Sequence, residues 1–275
     1  MNPPAQDFRC YRHPDRDAYI ACQRCERMIC PECMRDASVG FHCPECVAQG
    51  AKTVRAPRTI AGGVVSANVG IVSFVLIGLN VVAYIAQLAT DNTSSSVYVR
   101  GAMQANAVAD GDFWRLLTAA FLPGSLLHIA FNMYALYLFG PFVEKALGTV
   151  RFIAAYFTTA IASSVFVYWL EDPAVPTIGA SGAVFGLFGL ALMLLLKAKQ
   201  DVTTLIVLLA INAVISLQGN ISWQGHLGGF VAGCILGAAF AYAPRDRKQA
   251  VQLFVFAALW TAMIAAIVIR TGQLN

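Results

Sequence analysis

Two short motifs place a hydroxyl and an imidazole at the starts of separate apolar segments. Ser181 lies in a Gly-Ala-Ser-Gly run that begins at Gly179, and His226 directly follows Gly225. A serine hydroxyl is a weak nucleophile at neutral pH, and an imidazole within hydrogen-bond reach is its usual activator. The two motifs therefore predict acyl transfer inside a bilayer, with Ser181 as the nucleophile and His226 as the general base.

Each motif also has a purely structural interpretation. Small residues are common where two membrane helices pack closely, so the run around Ser181 alone favours a packing role. A histidine inside an apolar segment is costly unless it faces the protein interior and has a partner. The presence of His226 therefore favours the chemical interpretation of both motifs.

His128 and Asn132 form a second polar pair. They are four residues apart and so share one helix face. Both side chains can donate hydrogen bonds to a developing oxyanion, beside the backbone amide of Ser181 at the start of its helix. The alternative is that His128 caps its helix and Asn132 bonds to a neighbouring helix. With Ser181 and His226 present, we favour the oxyanion role.

Glycines recur at helical spacing in the two segments that carry the serine and the imidazole. One segment contains Gly225, Gly229, Gly233 and Gly237, and the other contains Gly182, Gly186 and Gly189. Such stripes allow two helix backbones to approach closely. They predict that the two segments pack together and bring Ser181 near His226, and we assign the glycines no catalytic role.

The first 50 residues contain four pairs of metal-ligating side chains, each pair separated by two residues. Seven of the eight cysteines lie here, and the pairs are Cys10 and His13, Cys22 and Cys25, Cys30 and Cys33, and Cys43 and Cys46. Eight ligands are enough for two closed, tetrahedral zinc sites, which are structural and not catalytic. Metal binding would provide most of the folding free energy of so short a segment. His42 adjoins Cys43 and is an alternative ligand at that position, though we favour the eight paired residues.

The chain as a whole has the composition of a membrane protein. Of the 275 residues, 58% are hydrophobic and 12% are charged, about half the charged share of a soluble domain. Seven apolar segments of roughly membrane-spanning length follow: 67–89, 127–143, 150–170, 180–197, 202–218, 225–243 and 250–269. Those at 127–143 and 202–218 are short or contain polar residues, so their ends are the least well defined. We divide the chain into a cytosolic metal-binding domain (1–50), a basic linker (51–66), a six-helix core (67–243) and an extra transmembrane helix with the C-terminal tail (244–275).

Basic residues indicate the orientation of these segments. The first 60 residues lack the apolar core of a secretory signal peptide, which favours a cytosolic N-terminus where thiols stay reduced. All three inner loops are then basic, as the positive-inside rule requires: Lys145 and Arg151, Lys197 and Lys199, and Arg245, Arg247 and Lys248. The C-terminus is then extracytoplasmic in a multi-pass protein of the cell membrane. The second, fourth and sixth segments all start on the outer side, so His128, Ser181 and His226 can converge in one pocket.

Residues 90–126 are predicted to form a long segment on the outer side. The stretch from Phe113 to Leu117, which contains Trp114 and Arg115, is too apolar for an ordinary solvated loop. Tryptophan and arginine are common anchors at the level of the lipid headgroups. We therefore expect a structured, partly embedded element beside the candidate site.

In their order and spacing, these motifs resemble the rhomboid intramembrane serine proteases. The resemblance covers roughly residues 67–243 and rests on Trp114-Arg115, His128 with Asn132, the run around Ser181, and Gly225-His226 followed by Gly229 and Gly233. It implies an all-α polytopic membrane protein, with a rhomboid-like six-helix bundle and a seventh C-terminal transmembrane helix. A small zinc-stabilised domain precedes this bundle.

The resemblance also implies an activity. A serine endopeptidase of this kind uses a Ser/His dyad without a catalytic aspartate and cleaves transmembrane protein substrates in or near their transmembrane segment. Ser181 would be the nucleophile and His226 the general base, while His128 and Asn132 would line the oxyanion hole. No cofactor is implied for catalysis.

Two positions depart from the family's pattern. Phe185 replaces a tyrosine that often packs on the catalytic imidazole, which keeps the ring stacking and loses the hydroxyl. Gln224 stands where a small residue often precedes the position of Gly225. The second departure leaves the local packing around Gly225 open.

The N-terminal pattern resembles B-box-type zinc fingers. That resemblance implies a crossed arrangement, in which the first and third ligand pairs hold one Zn²⁺ and the second and fourth pairs hold the other. Sequential pairing stays open as an alternative. Mixed charges and few exposed aromatic residues argue against nucleic acid, so we expect a cytosolic protein partner or a role in regulating the protease.

Two other function classes are compatible with parts of the pattern. A non-proteolytic rhomboid-like protein that binds or escorts client transmembrane helices would share the fold, but such proteins usually lack the nucleophile or the base. A small transporter would need charged or polar residues midway along its helices, and these are largely absent.

Overall fold

The computed structural model describes residues 8–53, 58–65, 68–90, 95–216 and 221–275. The chain forms two compact units, Met1–Pro57 and Arg58–Asn275. The boundary lies within the predicted basic linker. Each unit has its own core, and each is described by itself.

The N-terminal unit consists of two small hairpins and one helix. Strand β1 (Ile20–Ala21) pairs antiparallel with β2 (Met28–Ile29), and β3 (Arg35–Asp36) pairs antiparallel with β4 (Phe41–His42). Helix α1 (Pro44–Thr53) follows. The buried residues of this unit are mostly cysteines, joined by Ala18 and Ile29. Such a core buries too little apolar surface to fold this segment by itself, which supports the expectation that metal ions stabilise it.

The second unit is mainly helical in its described parts. Its helices are α2 (Ile71–Ala89), α3 (Ser96–Gly101), α4 (Ala105–Ala109), α5 (Arg115–Thr118), α6 (Leu126–Leu147), α7 (Thr149–Leu170), α8 (Ser181–Lys197), α9 (Thr203–Ser216), α10 (Trp223–Tyr242) and α11 (Lys248–Leu274). Within the described residues, α2, α6, α7, α10 and α11 are long and apolar enough to cross a membrane. Helices α8 and α9 are shorter. The 17 residues of α8 span about 25 Å, less than the roughly 30 Å of a hydrocarbon core.

Helix α6 is longer than the predicted segment 127–143 because its charged end is buried inside the protein. Glu144 is 2% exposed. Its carboxylate accepts hydrogen bonds from the backbone N–H groups of Val72 and Ser73 and from the Ser73 hydroxyl. These N–H groups belong to the first turn of α2, where no partner exists within the helix. The carboxylate therefore caps a neighbouring helix, a contact that hydropathy alone does not reveal.

The glycine stripes pack α8 directly against α10. A Cβ atom added at Gly229 would collide with the carbonyl of Gly182, and one added at Gly233 would collide with the carbonyl of Gly186. The two backbones therefore touch, as the stripes predict. Helix α8 is buried along most of its length between α10, α7 and α6.

Replacing Gly233 by alanine is expected to lower the stability of the helical unit by about 1–3 kcal/mol, because backbone atoms must move to admit the new methyl group. Thermal unfolding of the purified protein in detergent measures the effect. Gly78→Ala is the matched control, since Gly78 lies on the exposed side of α2 with nothing within 4 Å of the added Cβ. Equal unfolding temperatures for the two variants would contradict the close approach of α8 and α10.

Helix α11, which corresponds to the seventh apolar segment of the sequence, is joined to α7 by side-chain hydrogen bonds spread along its length. Trp260 Nε1 donates to Thr158 Oγ1, and Trp169 Nε1 donates to the carbonyl of Ala266. Arg270 Nε donates to the carbonyl of Tyr168. The extra helix is thus part of the bundle and packs against α7.

Candidate functional site

Ser181 is the first residue of α8 and follows a turn that only glycine can make. Gly179 has φ +131°, a conformation that other residues rarely adopt. A Cβ atom at this position would lie 2.8 Å from both Cε1 and Nε2 of His128 and 3.4 Å from Ser181 Oγ. The absence of a side chain at Gly179 thus leaves the Ser181 hydroxyl and the His128 imidazole facing the same small space.

The turn before Ser181 is held by the segment that precedes α6. The Gly179 N–H donates to the carbonyl of Ala119 at 2.9 Å. Thr177 and Met103 exchange two backbone hydrogen bonds of 2.7 and 2.9 Å in an antiparallel bridge. The segment that the sequence predicts to lie beside the site therefore contacts it through the backbone.

Arg115 organises that segment from within. The guanidinium is buried, and its Nη1 donates to the carbonyls of Val99 and Ala102 while its Nε pairs with Asp112. Trp114 is half exposed, and its Nε1 donates to the carbonyl of Arg100. The tryptophan and arginine thus have different roles: Arg115 fixes the fold of the segment, and Trp114 presents an apolar ring at its surface.

Local hydrogen bonds fix the imidazole of His128. Ser125 caps α6 by accepting from the His128 backbone N–H, and the Gly124 N–H donates to Nδ1 at 3.1 Å. Because Nδ1 accepts this bond, a neutral His128 carries its proton on Nε2. This proton faces the space beside Gly179. Asn132 lies one turn further along α6, and one of its amide hydrogens is donated to the carbonyl of His128.

His226 lies in the first turns of α10 and stacks on a residue of α8. Its ring lies parallel to that of Phe185, with the centroids 4.1 Å apart and 8° between the planes. Phe185 is one helical turn beyond Ser181, so the imidazole covers the beginning of α8. The stacking expected of an aromatic residue at this position is therefore present. Gln224, the other departure from the family's pattern, is buried and accepts a hydrogen bond from the Ser222 hydroxyl.

The two nitrogens of His226 have different surroundings. Nδ1 lies 2.7 Å from the hydroxyl of Ser216 at the end of α9. Nε2 is buried and has no hydrogen-bond partner in the described part of the chain. Ser181 and His226 are thus brought to adjoining helix ends, but the direct hydrogen bond expected between them is not formed in this conformation. Catalytic hydrogen bonds are often long without substrate and tighten when it binds.

The eight N-terminal ligands form two groups. Cys10, His13, Cys30 and Cys33 make up one, and Cys22, Cys25, Cys43 and Cys46 make up the other, with the ligand atoms of each group within 4.8 Å of one another. This is the crossed arrangement and not the sequential one. His42 belongs to neither group. Three thiolates and one imidazole nitrogen in the first group, and four thiolates in the second, fit a tetrahedral ion such as Zn²⁺ with no open coordination position.

Backbone N–H groups stabilise the thiolate form of two of these ligands. Burial raises the pKa of Cys10, but the backbone N–H groups of Cys30, Arg12 and His13 outweigh it and lower the value to about 6. The pKa of Cys22 is likewise lowered to about 6, against the effect of burial, by its own backbone donors. The thiolate is the form that binds metal, so the surroundings of Cys10 and Cys22 favour the ligating form. Burial has the opposite effect on one cysteine of each group, raising the pKa of Cys33 to about 11 and that of Cys46 to about 12.

Sequence reasoning missed Ser216 and Arg27. Ser216 lies ten residues from His226 in a different helix, and no motif marks it. Arg27 contacts the second ligand group: Nε donates to Cys25 Sγ at 3.4 Å, and Nη2 lies 3.7 Å from Cys43 Sγ and 2.6 Å from a Glu45 carboxylate oxygen. A basic residue two positions after a ligand cysteine was the available signal for Arg27, because four thiolates around a divalent ion leave net negative charge.

Comparison with known proteins bears on the helical unit. A model of the rhomboid domain matches residues 110–243. The chain is 35% identical over 135 residues to YdcA, a rhomboid protein of Bacillus subtilis (strain 168). The aligned region covers 47% of this chain and 68% of YdcA. It is 34% identical over 145 residues to the rhomboid protease GluP of the same organism, covering 50% of this chain and 28% of GluP. It is 25% identical over 208 residues to the rhomboid protease AarA of Providencia stuartii, covering 64% and 74% of the two chains.

The part of the chain matched by the domain model contains the whole candidate site. His128, Asn132, Ser181 and His226 all lie within it, whereas the two metal-ligand groups and α11 lie outside. The bundle of apolar helices is that of a multi-pass membrane protein. On these grounds the chain belongs to the rhomboid family.

Proposed function

We propose that this protein is an intramembrane serine endopeptidase that cleaves membrane-anchored proteins in or near their transmembrane segment. The observation that carries the proposal is the environment of His226. Its ring is held flat on Phe185 above the start of α8, and its buried Nε2 lacks a partner in the described part of the chain. An unpaired buried polar atom costs free energy and calls for an explanation. A role as the acceptor of the Ser181 proton would explain why Nε2 of His226 is left without a partner.

In the proposed reaction, His226 carries every proton transfer. Its Nε2 accepts the proton of Ser181 as Oγ bonds to the scissile carbonyl carbon, and the π electron pair moves onto the carbonyl oxygen. When this intermediate collapses, the C–N bond breaks and the imidazolium protonates the leaving amine. A water molecule, deprotonated by His226, then attacks the acyl ester. Collapse of the second intermediate releases the new carboxyl end and returns the proton to Ser181.

The oxyanion of these intermediates would be stabilised from three directions. The backbone amide of Ser181 lies at the N-terminus of α8, where the helix dipole favours negative charge. His128 presents Nε2–H to the same space because Gly124 occupies Nδ1. Asn132 has a second amide hydrogen beyond the one donated to His128. We assign His128 and Asn132 to the oxyanion hole on this basis.

We assign one structural Zn²⁺ to each N-terminal ligand group. The crossed ligand sets and their thiolate-stabilising N–H donors support this assignment. The ion would supply folding free energy and no catalysis, since four protein ligands leave no open position. We place this unit in the cytosol, where it would contact a protein partner, and the C-terminus on the outer side. Protease accessibility of tags at the two termini in sealed vesicles tests that orientation.

Labelling with a fluorophosphonate probe tests the proposed activity. The probe reacts with activated serine hydroxyls, so the purified protein is expected to form one adduct that peptide mapping places on Ser181. The same preparation is expected to cleave a single-pass membrane substrate. A well-folded protein that binds such a substrate without labelling or cleavage would instead be a client-binding member of the family.

A further inference from the structure

Ser216 is the last residue of α9 and contacts the imidazole of His226. Its Oγ lies 2.7 Å from Nδ1, and the two residues are 4% and 8% exposed. The same Oγ lies 2.7 Å from the backbone carbonyl oxygen of Asn212, one turn earlier in α9. The hydroxyl of Ser216 therefore makes two short contacts away from bulk water, one to an oxygen and one to a nitrogen.

The protons available to these two contacts determine the direction of each bond. A carbonyl oxygen has no proton, so the contact between Ser216 Oγ and the Asn212 oxygen must use the single proton of the hydroxyl. Donation from a serine to the carbonyl four residues earlier is a recurrent bond in helices. Because the hydroxyl proton is donated to Asn212, Ser216 Oγ can only accept a hydrogen bond in its contact with Nδ1 of His226. The proton between Oγ and Nδ1 must therefore belong to His226.

This assignment leaves Nε2 of His226 with a lone pair. A neutral imidazole has one ring proton, and here it resides on Nδ1. The reverse arrangement, in which Ser216 donates to Nδ1, would leave two oxygens 2.7 Å apart with no proton between them. It would also place the ring proton on Nε2, where a general base needs its lone pair. Only the first arrangement satisfies both contacts of Ser216.

We propose that Ser216 is a positioning residue that holds His226 in the tautomer able to accept a proton from Ser181. In serine protease triads a carboxylate holds the base in this way. Here the corresponding group is a neutral hydroxyl whose acceptor direction is set by the backbone of α9. The inference rests on the proposed peptidase function, since it concerns how the base of that reaction is prepared.

A pair of variants with equal shape isolates the hydroxyl. Threonine at position 216 keeps the hydroxyl, whereas valine replaces it by a methyl group. We expect Ser216→Thr to react with a fluorophosphonate within about twofold of the unmodified protein, and Ser216→Val to react about tenfold more slowly. A tenfold loss is a fraction of the 10²–10⁴ that a general base contributes, because the base remains but spends less time in the productive tautomer. Where valine prevents folding, Ser216→Ala removes the hydroxyl without adding bulk.

Thr90→Val is the matched control for the loss of such a bond. Thr90 follows the last residue of α2, and its hydroxyl donates to the carbonyl of Ala86, four residues earlier, at 2.7 Å. This bond resembles the one from Ser216 to Asn212 but involves none of the residues assigned to the candidate site. We expect Thr90→Val to leave the labelling rate unchanged. A loss there equal to that of Ser216→Val would mean that the effect reflects helix stability, which would overturn the inference.

The position of the ring proton provides a readout that a purely structural role would not change. In protein labelled with ¹⁵N-histidine, and with the His226 signals assigned by comparison with a His226→Gln variant, the unmodified protein and Ser216→Thr should carry the proton on Nδ1. Ser216→Val should shift it toward Nε2. The same tautomer and the same labelling rate in the Thr and Val variants would overturn the proposal. If the unmodified protein is not labelled but the proton still moves, the peptidase function fails while the role of Ser216 stands.

Discussion

Replacing Ser181 by alanine is expected to lower the rate of substrate cleavage by at least about a thousandfold, to the background rate. The variant lacks the nucleophile and can form no acyl ester. Replacing His226 by alanine should cause a loss of similar size, because Ser181 then has no base to accept its proton. The measurement is cleavage of a single-pass membrane protein in proteoliposomes, followed over time with each purified variant.

The double variant distinguishes a shared mechanism from two independent defects. Residues that act as one catalytic unit are not additive, so Ser181→Ala combined with His226→Ala should be no slower than either single variant. Ser96→Ala is the matched control, because Ser96 begins α3 as Ser181 begins α8 and has an exposed side chain. It should cleave at the normal rate. Cleavage by Ser181→Ala at more than a tenth of the normal rate would exclude the proposed nucleophile.

Removing metal is expected to unfold the N-terminal unit while the helical unit stays folded. Structural zinc in small zinc-binding peptides contributes about 10–16 kcal/mol of apparent binding free energy at neutral pH, and the apolar core of this unit is too small to replace it. The purified protein should contain two zinc ions per chain by elemental analysis. A strong chelator should release both and open residues 8–53 to proteolysis, without changing the helical signal of the membrane part.

Cysteine variants test which ligands belong to each group. Cys30→Ser removes a ligand of the first group and Cys43→Ser removes one of the second, so each should lose at least one zinc per chain. Cys234→Ser is the control, because Cys234 lies in α10 outside both groups, and it should retain two ions. Well under two metal ions per chain in the unmodified protein would contradict the two-site assignment.

The structural features that the sequence predicts best are those that depend on short, regular patterns of residues. The glycine stripes predict the contact between α8 and α10, and the structure places Gly229 and Gly233 against α8 carbonyls. The start of α8 at Ser181 follows from a local motif in the same way, whereas the stacking of Phe185 on His226 follows from the resemblance to the rhomboid family. A pattern of this kind is informative because backbone approach and helix starts depend on few residue types.

Other features depend on contacts between distant elements that no local pattern records. The end of α6 extends past Glu144 because the first turn of α2 supplies N–H donors to its carboxylate. The partner of His226 Nδ1 depends on how α9 is placed beside α10, and the hydroxyl at Ser216 alone does not reveal that placement. Ligand spacing in the N-terminal unit is compatible with both crossed and sequential pairing, and tertiary structure decides between them.

Because the ligand sets are crossed, we expect the N-terminal unit to fold and unfold as one cooperative unit. The chain from Cys10 to Cys33 encloses the first ligand group, and the chain from Cys22 to Cys46 encloses the second, so the two enclosed stretches overlap. During synthesis neither of the two proposed ions could complete its coordination until residue 33 has emerged, and the second would have to wait for residue 46. An ion lost from either group would loosen strands β1 and β2, which adjoin ligands of both. We therefore expect the two ions to bind together and to leave together. As the supply of metal falls, the unit should lose both ions over a narrow range of metal concentration.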